Sequence, residues 1–185
     1  MSLTESTMLE LGTVAPDFTL TDVVTGKLVS RDDFRGQMAL LVMFICAHCP
    51  YVKHINEGLA TLGKNYADRP IAIVAISSND AITHPADDPA GLKRQAENFD
   101  FVFPYLYDET QAVAHAYKAA CTPDFFLFDA GFHLVYRGQF DSSRPGNGIP
   151  VSGEDLRFAI DTVLAGKPVP MDQRPSIGCN IKWKS

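Results

Sequence analysis

The chain lacks a long apolar run, a basic stripe and a cysteine framework, and each absence removes a class of function. Its longest unbroken apolar stretch begins at Met38 and stops before His48. That is roughly half of the ~20 residues a helix needs to cross a bilayer, so no membrane partner is expected. The charge balance is acidic, with 16 Lys+Arg against 22 Asp+Glu and a net charge of −6. Phosphate backbones are bound by a stripe of basic side chains, and none is present here, the end of the chain with Lys182 and Lys184 being locally basic, so no nucleic-acid partner is expected either. Four cysteines in 185 residues are too few to staple a fold, and each thiol is left as a buried filler, a metal ligand or a redox centre. The opening Met1-Ser2-Leu3-Thr4-Glu5-Ser6 has neither the basic nor the apolar region of an export signal, which leads us to expect a reducing, cytoplasmic location. Internal repeats and low-complexity tracts are missing as well.

What remains is an ordinary globular composition, 46% apolar and 21% charged, with a length that fits one domain. We expect a flexible N-terminus over residues 1–10, a domain over 11–166 and a tail over 167–185 that packs back on it. Residues 12–22 read as a short strand and turn. The run from Met38 to Ile45 reads as a central strand buried on both faces. From Val52 the period changes: Val52, Ile55, Leu59, Leu62 and Tyr66 share one helical face, so a helix starts near Cys49-Pro50, with Pro50 suited to its first turn. A second buried strand follows at 71–76, and a helix opens at Asp88 or Pro89. Then come a short strand at 105–107 and a helix from Thr110 to about Ala119. Phe125-Phe126-Leu127-Phe128 and Leu134-Val135-Tyr136 flank Asp129-Ala130-Gly131 as an antiparallel pair. A last helix is expected to begin at Ser152 and stop at Gly166. This alternation predicts an α/β architecture, a mixed sheet between helices.

Cys46-Ala47-His48-Cys49-Pro50 falls where the central strand ends and a helix begins. Unpaired N–H groups and the macrodipole at a helix start favour an anion, so a thiolate there ionises easily. Two intervening residues let one sulfur attack a substrate and the other resolve the mixed disulfide. A metal site or inert buried thiols are the alternatives. Cys121 and Cys179 are isolated, so the two-pair zinc pattern fails and no metal is expected. His48 favours a neighbouring thiolate when charged, or is simply a solvated linker residue.

Together with Ala15-Pro16-Asp17-Phe18-Thr19-Leu20, Asp33-Phe34-Arg35-Gly36 and Thr122-Pro123, the dithiol segment resembles the thioredoxin-like redoxins of the alkyl hydroperoxide reductase/thiol-specific antioxidant family. The segments 46–54 and 176–184 are similar to its peroxiredoxin-like branch. The resemblance implies a thioredoxin fold with an N-terminal β extension and a C-terminal tail, and no bound cofactor. It places a cis-proline at Pro123 facing the dithiol, so that Thr122 and Pro123 receive the substrate. It implies a protein disulfide, small disulfide or peroxide as substrate and an external thiol as reductant. Two chemistries fit. In a thioredoxin-like reading Cys46 is the more exposed, attacking thiol and Cys49 resolves. In a peroxiredoxin-like reading Cys49, the cysteine before proline, meets the peroxide, and Cys46 stands where that family has threonine or serine. Against the second, the family's upstream proline falls at Val42 and its arginine at Pro123. Arg144 is a substitute donor if the loop at 141–150 hangs over Pro123. Cys121, two residues before the proline, is either a third thiol beside the pair or a buried filler. About a dozen extended residues span roughly 40 Å, so the tail can bring Cys179 back to the dithiol or strap it elsewhere.

Overall fold

The computed structural model describes residues 3–185. The apolar run becomes strand β4 (Ala39–Phe44), every residue of which is buried. Side chains alternate across a strand, and both faces of β4 are covered. Ala39, Leu41 and Met43 face one core, with residues of helices α1 (Pro50–Tyr66), α2 (Pro89–Asn98) and α4 (Glu154–Leu164). Leu40, Val42 and Phe44 face the other, with Leu9, Phe18 and residues of the short helix α3 (Ala112–Ala116). Each large apolar side chain so buried contributes about 1.5–3 kcal/mol relative to exposure.

Beside β4 on one side run β5 (Ile71–Ser77), parallel to β4, and β6 (Tyr105–Tyr107), parallel to β5. On the other side β8 (Asp124–Asp129) is antiparallel to β4 and continues into β9 (Leu134–Gly138) through the expected turn. The pair β2 (Thr19–Asp22) and β3 (Leu28–Ser30) closes the far edge, giving a seven-stranded order β3-β2-β6-β5-β4-β8-β9. No helix among the described residues is long and apolar enough to cross a membrane. The result is the mixed sheet flanked by helices of a thioredoxin fold, with an N-terminal β extension.

Two helices differ from their sequence-based limits. α3 spans only Ala112–Ala116, because Gln111 and Lys118 on either side take left-handed backbone angles, φ 67° and φ 51°. α4 is capped by Gly153 and not by Ser152. Its φ is 68°, and a Cβ there would sit 2.6 Å from the Phe140 ring, so only glycine fits. The buried Asp141 carboxylate accepts the N–H groups of both Ser152 and Gly153, at 2.7 and 2.6 Å, and fixes the turn that leads into the helix, while Ser152 Oγ accepts the Glu154 N–H at 3.2 Å.

A second, three-stranded sheet holds the chain's two outer segments together. β10 (Ile177–Asn180) lies antiparallel between β1 (Leu3–Glu5) and β7 (Cys121–Thr122). Leu3–Glu5 falls in the stretch read as a flexible N-terminus; its backbone is instead tied into this sheet, Leu3 opposite Cys179 and Glu5 opposite Ile177. The tail is fastened beyond β10 too. The Lys182 carbonyl accepts from the Asp80 N–H at 2.8 Å, and the Trp183 ring stacks on His115 with centroids 4.2 Å apart.

Candidate active site

The two cysteines of the dithiol sit at the seam between β4 and α1. Cys49 is the N-cap of α1 and Pro50 its first residue, so the amide that proline lacks would have had no helical partner. Thr122 touches both sulfurs. Its hydroxyl lies 3.4 Å from Cys46 Sγ and its carbonyl oxygen 3.4 Å from Cys49 Sγ. The peptide bond from Thr122 to Pro123 is cis. Cys179 completes the group, its Sγ 2.7 Å from Cys49 Sγ.

The donors around the two sulfurs, though not the Thr122 carbonyl, favour the negative charge of the reduced site on Cys49. The Cys46 thiol donates to it, and against the opposing pull of burial the Cys179 thiol and the N–H groups of Val52 and Cys179 donate as well, so its pKa falls well below the usual thiol value. Cys46 moves the other way: burial raises it strongly, and the Cys49 and Asp87 charges add to the rise. Cys46 is not the more exposed of the two, since both have 0% exposure. The cover is the tail, which the sequence had placed only within reach. β10 crosses in front of the dithiol, held by its backbone pairing to Thr122.

The loop between the cysteines is shaped from below by Asp87, a fully buried carboxylate that the sequence reading had not singled out. One oxygen accepts the N–H groups of Ala47 and His48 at 2.8 and 3.0 Å; the other accepts the Asn79 amide at 2.9 Å and meets the His48 ring nitrogen Nδ1. Burial opposes the charge, but the donors from His48, Asn79 and Ala47 outweigh it and hold the pKa of Asp87 below the usual carboxylate range. Asn79 links this network to the tail by accepting the Lys182 N–H at 2.8 Å. Gln95, also buried, donates to the Cys46 carbonyl at 3.1 Å and receives the Tyr105 hydroxyl at 2.8 Å. Nothing in the spacing of Asp87, Asn79 or Gln95 marks them; Asn79 comes from just past the end of β5, Asp87 from the short 3-10 turn before α2 and Gln95 from α2 itself.

The remaining candidates fall outside this contact set. Cys121 is buried, its pKa raised by burial, and its thiol donates to the Pro123 carbonyl at 3.6 Å. Arg144 does lie beside Pro123, in a narrow cleft shared with Tyr51, Ser176 and Ile177. Its guanidinium is occupied by the carbonyls of Asp141 and Ser143, at 2.7 and 2.8 Å, and by Gln139 at 2.7 Å. As for metal ligands, Cys46, His48 and Asp87 are the one trio of suitable atoms within 4.8 Å of one another among the described residues. The Asp87 oxygens there are already engaged by four donors.

A family model of the AhpC/TSA family matches residues 11–137. The chain belongs to the AhpC/TSA family. Outside the matched part lie α4, the loop at 141–150 and the whole tail with Cys179. Among curated proteins, the thiol-disulfide oxidoreductase ResA of Geobacillus kaustophilus is 29% identical over 129 residues, 68% of this chain and 67% of the relative. Among solved structures, an uncharacterized conserved protein from the same organism is 53% identical with a TM-score of 0.97, covering 100% of this chain and 97% of the other. A thiol:disulfide interchange protein DsbE from Chlorobium tepidum shares the fold at 20% identity, with a TM-score of 0.66 over 84% of this chain and 99% of that one. The AhpC/TSA fold of the chain is thereby established along with its membership.

Proposed function

We propose that this AhpC/TSA protein is a thiol-disulfide oxidoreductase that cycles Cys46 and Cys49 between dithiol and disulfide. The observation that carries the reading is the shared contact of both sulfurs with Thr122 at the start of α1, and the donors that lower the Cys49 pKa support it. The likeness to ResA supports it. A thiolate attacks one sulfur of the substrate disulfide, and the other substrate sulfur leaves with the electron pair and takes a proton. The neighbouring thiol then loses its proton, attacks the mixed disulfide and releases the first substrate sulfur. The protein is left oxidised by two electrons, which an external thiol returns. His48 and Asp87 hold the backbone of the loop in place while the sulfurs change partners.

A second reading is favoured by the location of the charge. A Cys49 thiolate that takes one oxygen from a hydroperoxide forms a sulfenic acid and releases an alcohol or water; Cys46 then condenses with it, losing water and forming the same disulfide. This reading needs a donor toward the transferred oxygen, and the engaged Arg144 is poorly placed to be one. Reduction of insulin disulfides with a small-thiol donor, compared with consumption of hydrogen peroxide under the same conditions, separates the two. Insulin reduction without peroxide turnover supports the first reading; fast peroxide turnover with inert insulin replaces it by the second.

A further inference from the structure

We propose that Cys179 is a third catalytic thiol, which resolves sulfur adducts on Cys49 by forming a Cys49–Cys179 disulfide. The inference rests on the redox reading of Cys46 and Cys49 and adds a partner to it. Directly opposed residues of an antiparallel pair project to the same face. β10 places Cys179 opposite Thr122, the residue that touches both dithiol sulfurs, and so delivers its Sγ to within 2.7 Å of Cys49 Sγ. A disulfide bond is about 2.05 Å long, so small side-chain adjustments suffice. The same register explains why Cys121 stays out: it opposes Asn180 and projects to the other face.

The position is built, not incidental. A Cβ on Gly178 would lie 1.9 Å from the Thr122 carbonyl oxygen, so the backbone preceding Cys179 is pressed against β7. Ser176 anchors the strand's start by donating to the Pro123 carbonyl at 2.5 Å, and Lys182 anchors its end on Asn79 at 2.8 Å.

The chemistry balances without a further reagent. After the dithiol has been oxidised by its substrate, Cys179 loses its proton and attacks Cys49 Sγ. The Cys49–Cys179 bond forms, the Cys46–Cys49 bond breaks, and the electron pair leaves on Cys46, which takes up a proton. The same attack on a mixed disulfide at Cys49 expels the substrate thiol. Timing follows from the charges. In the reduced site, burial and then the hydrogen bond and charge of Cys49 raise the Cys179 pKa. Once Cys49 is bonded to another sulfur its share of the rise is gone and only burial still raises the Cys179 pKa, with Lys182 and the Tyr51 N–H pulling it down.

The test uses the full chain, oxidised with one equivalent of oxidised glutathione, alkylated and digested. Trypsin leaves Cys46 and Cys49 together in residues 36–53 and Cys179 in a separate peptide ending at Lys182, so a cross-link between the two peptides reports the new bond. We expect that cross-link in the wild-type protein, and as the main oxidised species in Cys46→Ser. We further expect the glutathione adduct on Cys49 to persist at least about tenfold longer in the double variant Cys46→Ser/Cys179→Ser than in Cys46→Ser, because an intramolecular nucleophile has been removed. Equal lifetimes together with no cross-link in the wild-type protein overturn the role of Cys179 while leaving the dithiol reading intact. A dithiol that forms neither adduct nor disulfide overturns both. The wild-type cross-link needs no substitution, so misfolding of a variant does not decide the result.

Discussion

Four donors converge on the Cys49 sulfur: the thiols of Cys46 and Cys179 and the N–H groups of Val52 and Cys179. The thiolate ultraviolet absorbance of the reduced protein is therefore expected to persist at about pH 6, where ordinary thiols are protonated, and to vanish in Cys49→Ser. That variant should also lose insulin reduction by at least about 10³-fold, as removal of a nucleophile does. Asp87 acts on the other sulfur, since its charge helps to raise the pKa of Cys46. Asp87→Asn removes that charge while keeping an acceptor for the loop amides, and the apparent pKa of Cys46, followed by its alkylation rate against pH, should fall. Asp87→Ala strips the acceptors from Ala47, His48 and Asn79 as well, and should destabilise the fold by about 3 kcal/mol in urea unfolding. Of these residues the sequence shows only the cysteines. Their two-residue spacing at the end of an apolar run is a local signal, whereas Asp87 meets His48 across 39 positions and has no pattern of its own.

Elements with a strong period are legible from sequence, and short paired ones are not. The β4 run and the five-residue stripe of α1 fix the strand-to-helix junction to within a residue, because burial on two faces and burial on one leave different patterns. β1, β7 and β10 are two to four residues long. Their stability comes from pairing partners distant in the chain, so no window of local sequence contains the cause. The limits of α3 and α4 escape for a related reason, being set by left-handed backbone angles and by Asp141. Because β10 is the cover of the site, its seating should control access to the sulfurs. Gly178→Ala, whose added carbon meets the Thr122 carbonyl, should lift the strand. We expect a loss of about 1–3 kcal/mol and faster alkylation of Cys49 by iodoacetamide in the folded protein. A slower or unchanged rate in a folded variant would mean that the thiols are reached by another route.

For the whole molecule, the decisive titration lies beneath the site in Asp124, the residue after the cis-proline. Neither of its oxygens has a well-formed hydrogen bond among the described residues. Burial lifts its pKa to about 7 against weaker pulls from the Ser6 side chain and the Ala120 and Phe125 amides. A carboxyl that holds its proton more tightly folded than unfolded stabilises the fold fully below its unfolded value of 3.8. That contribution is lost as pH rises through about 7. The difference is worth up to about 4 kcal/mol, and Asp124→Asn should flatten the dependence and melt higher than wild type at pH 8. The large sheet shows how far a fold can be anticipated from alternation alone, since the chain order of its strands and helices was legible apart from the edge strand β3; the small sheet, assembled from residues 3–5, 121–122 and 177–180, was not. It also bears on how the protein is handled. A fragment trimmed to the matched residues 11–137 would keep both sulfurs of the dithiol but lose the wall in front of them together with α4, whose apolar face fills one core. Such a fragment is expected to lose its fold with that core, so the rates of this site belong to the whole chain.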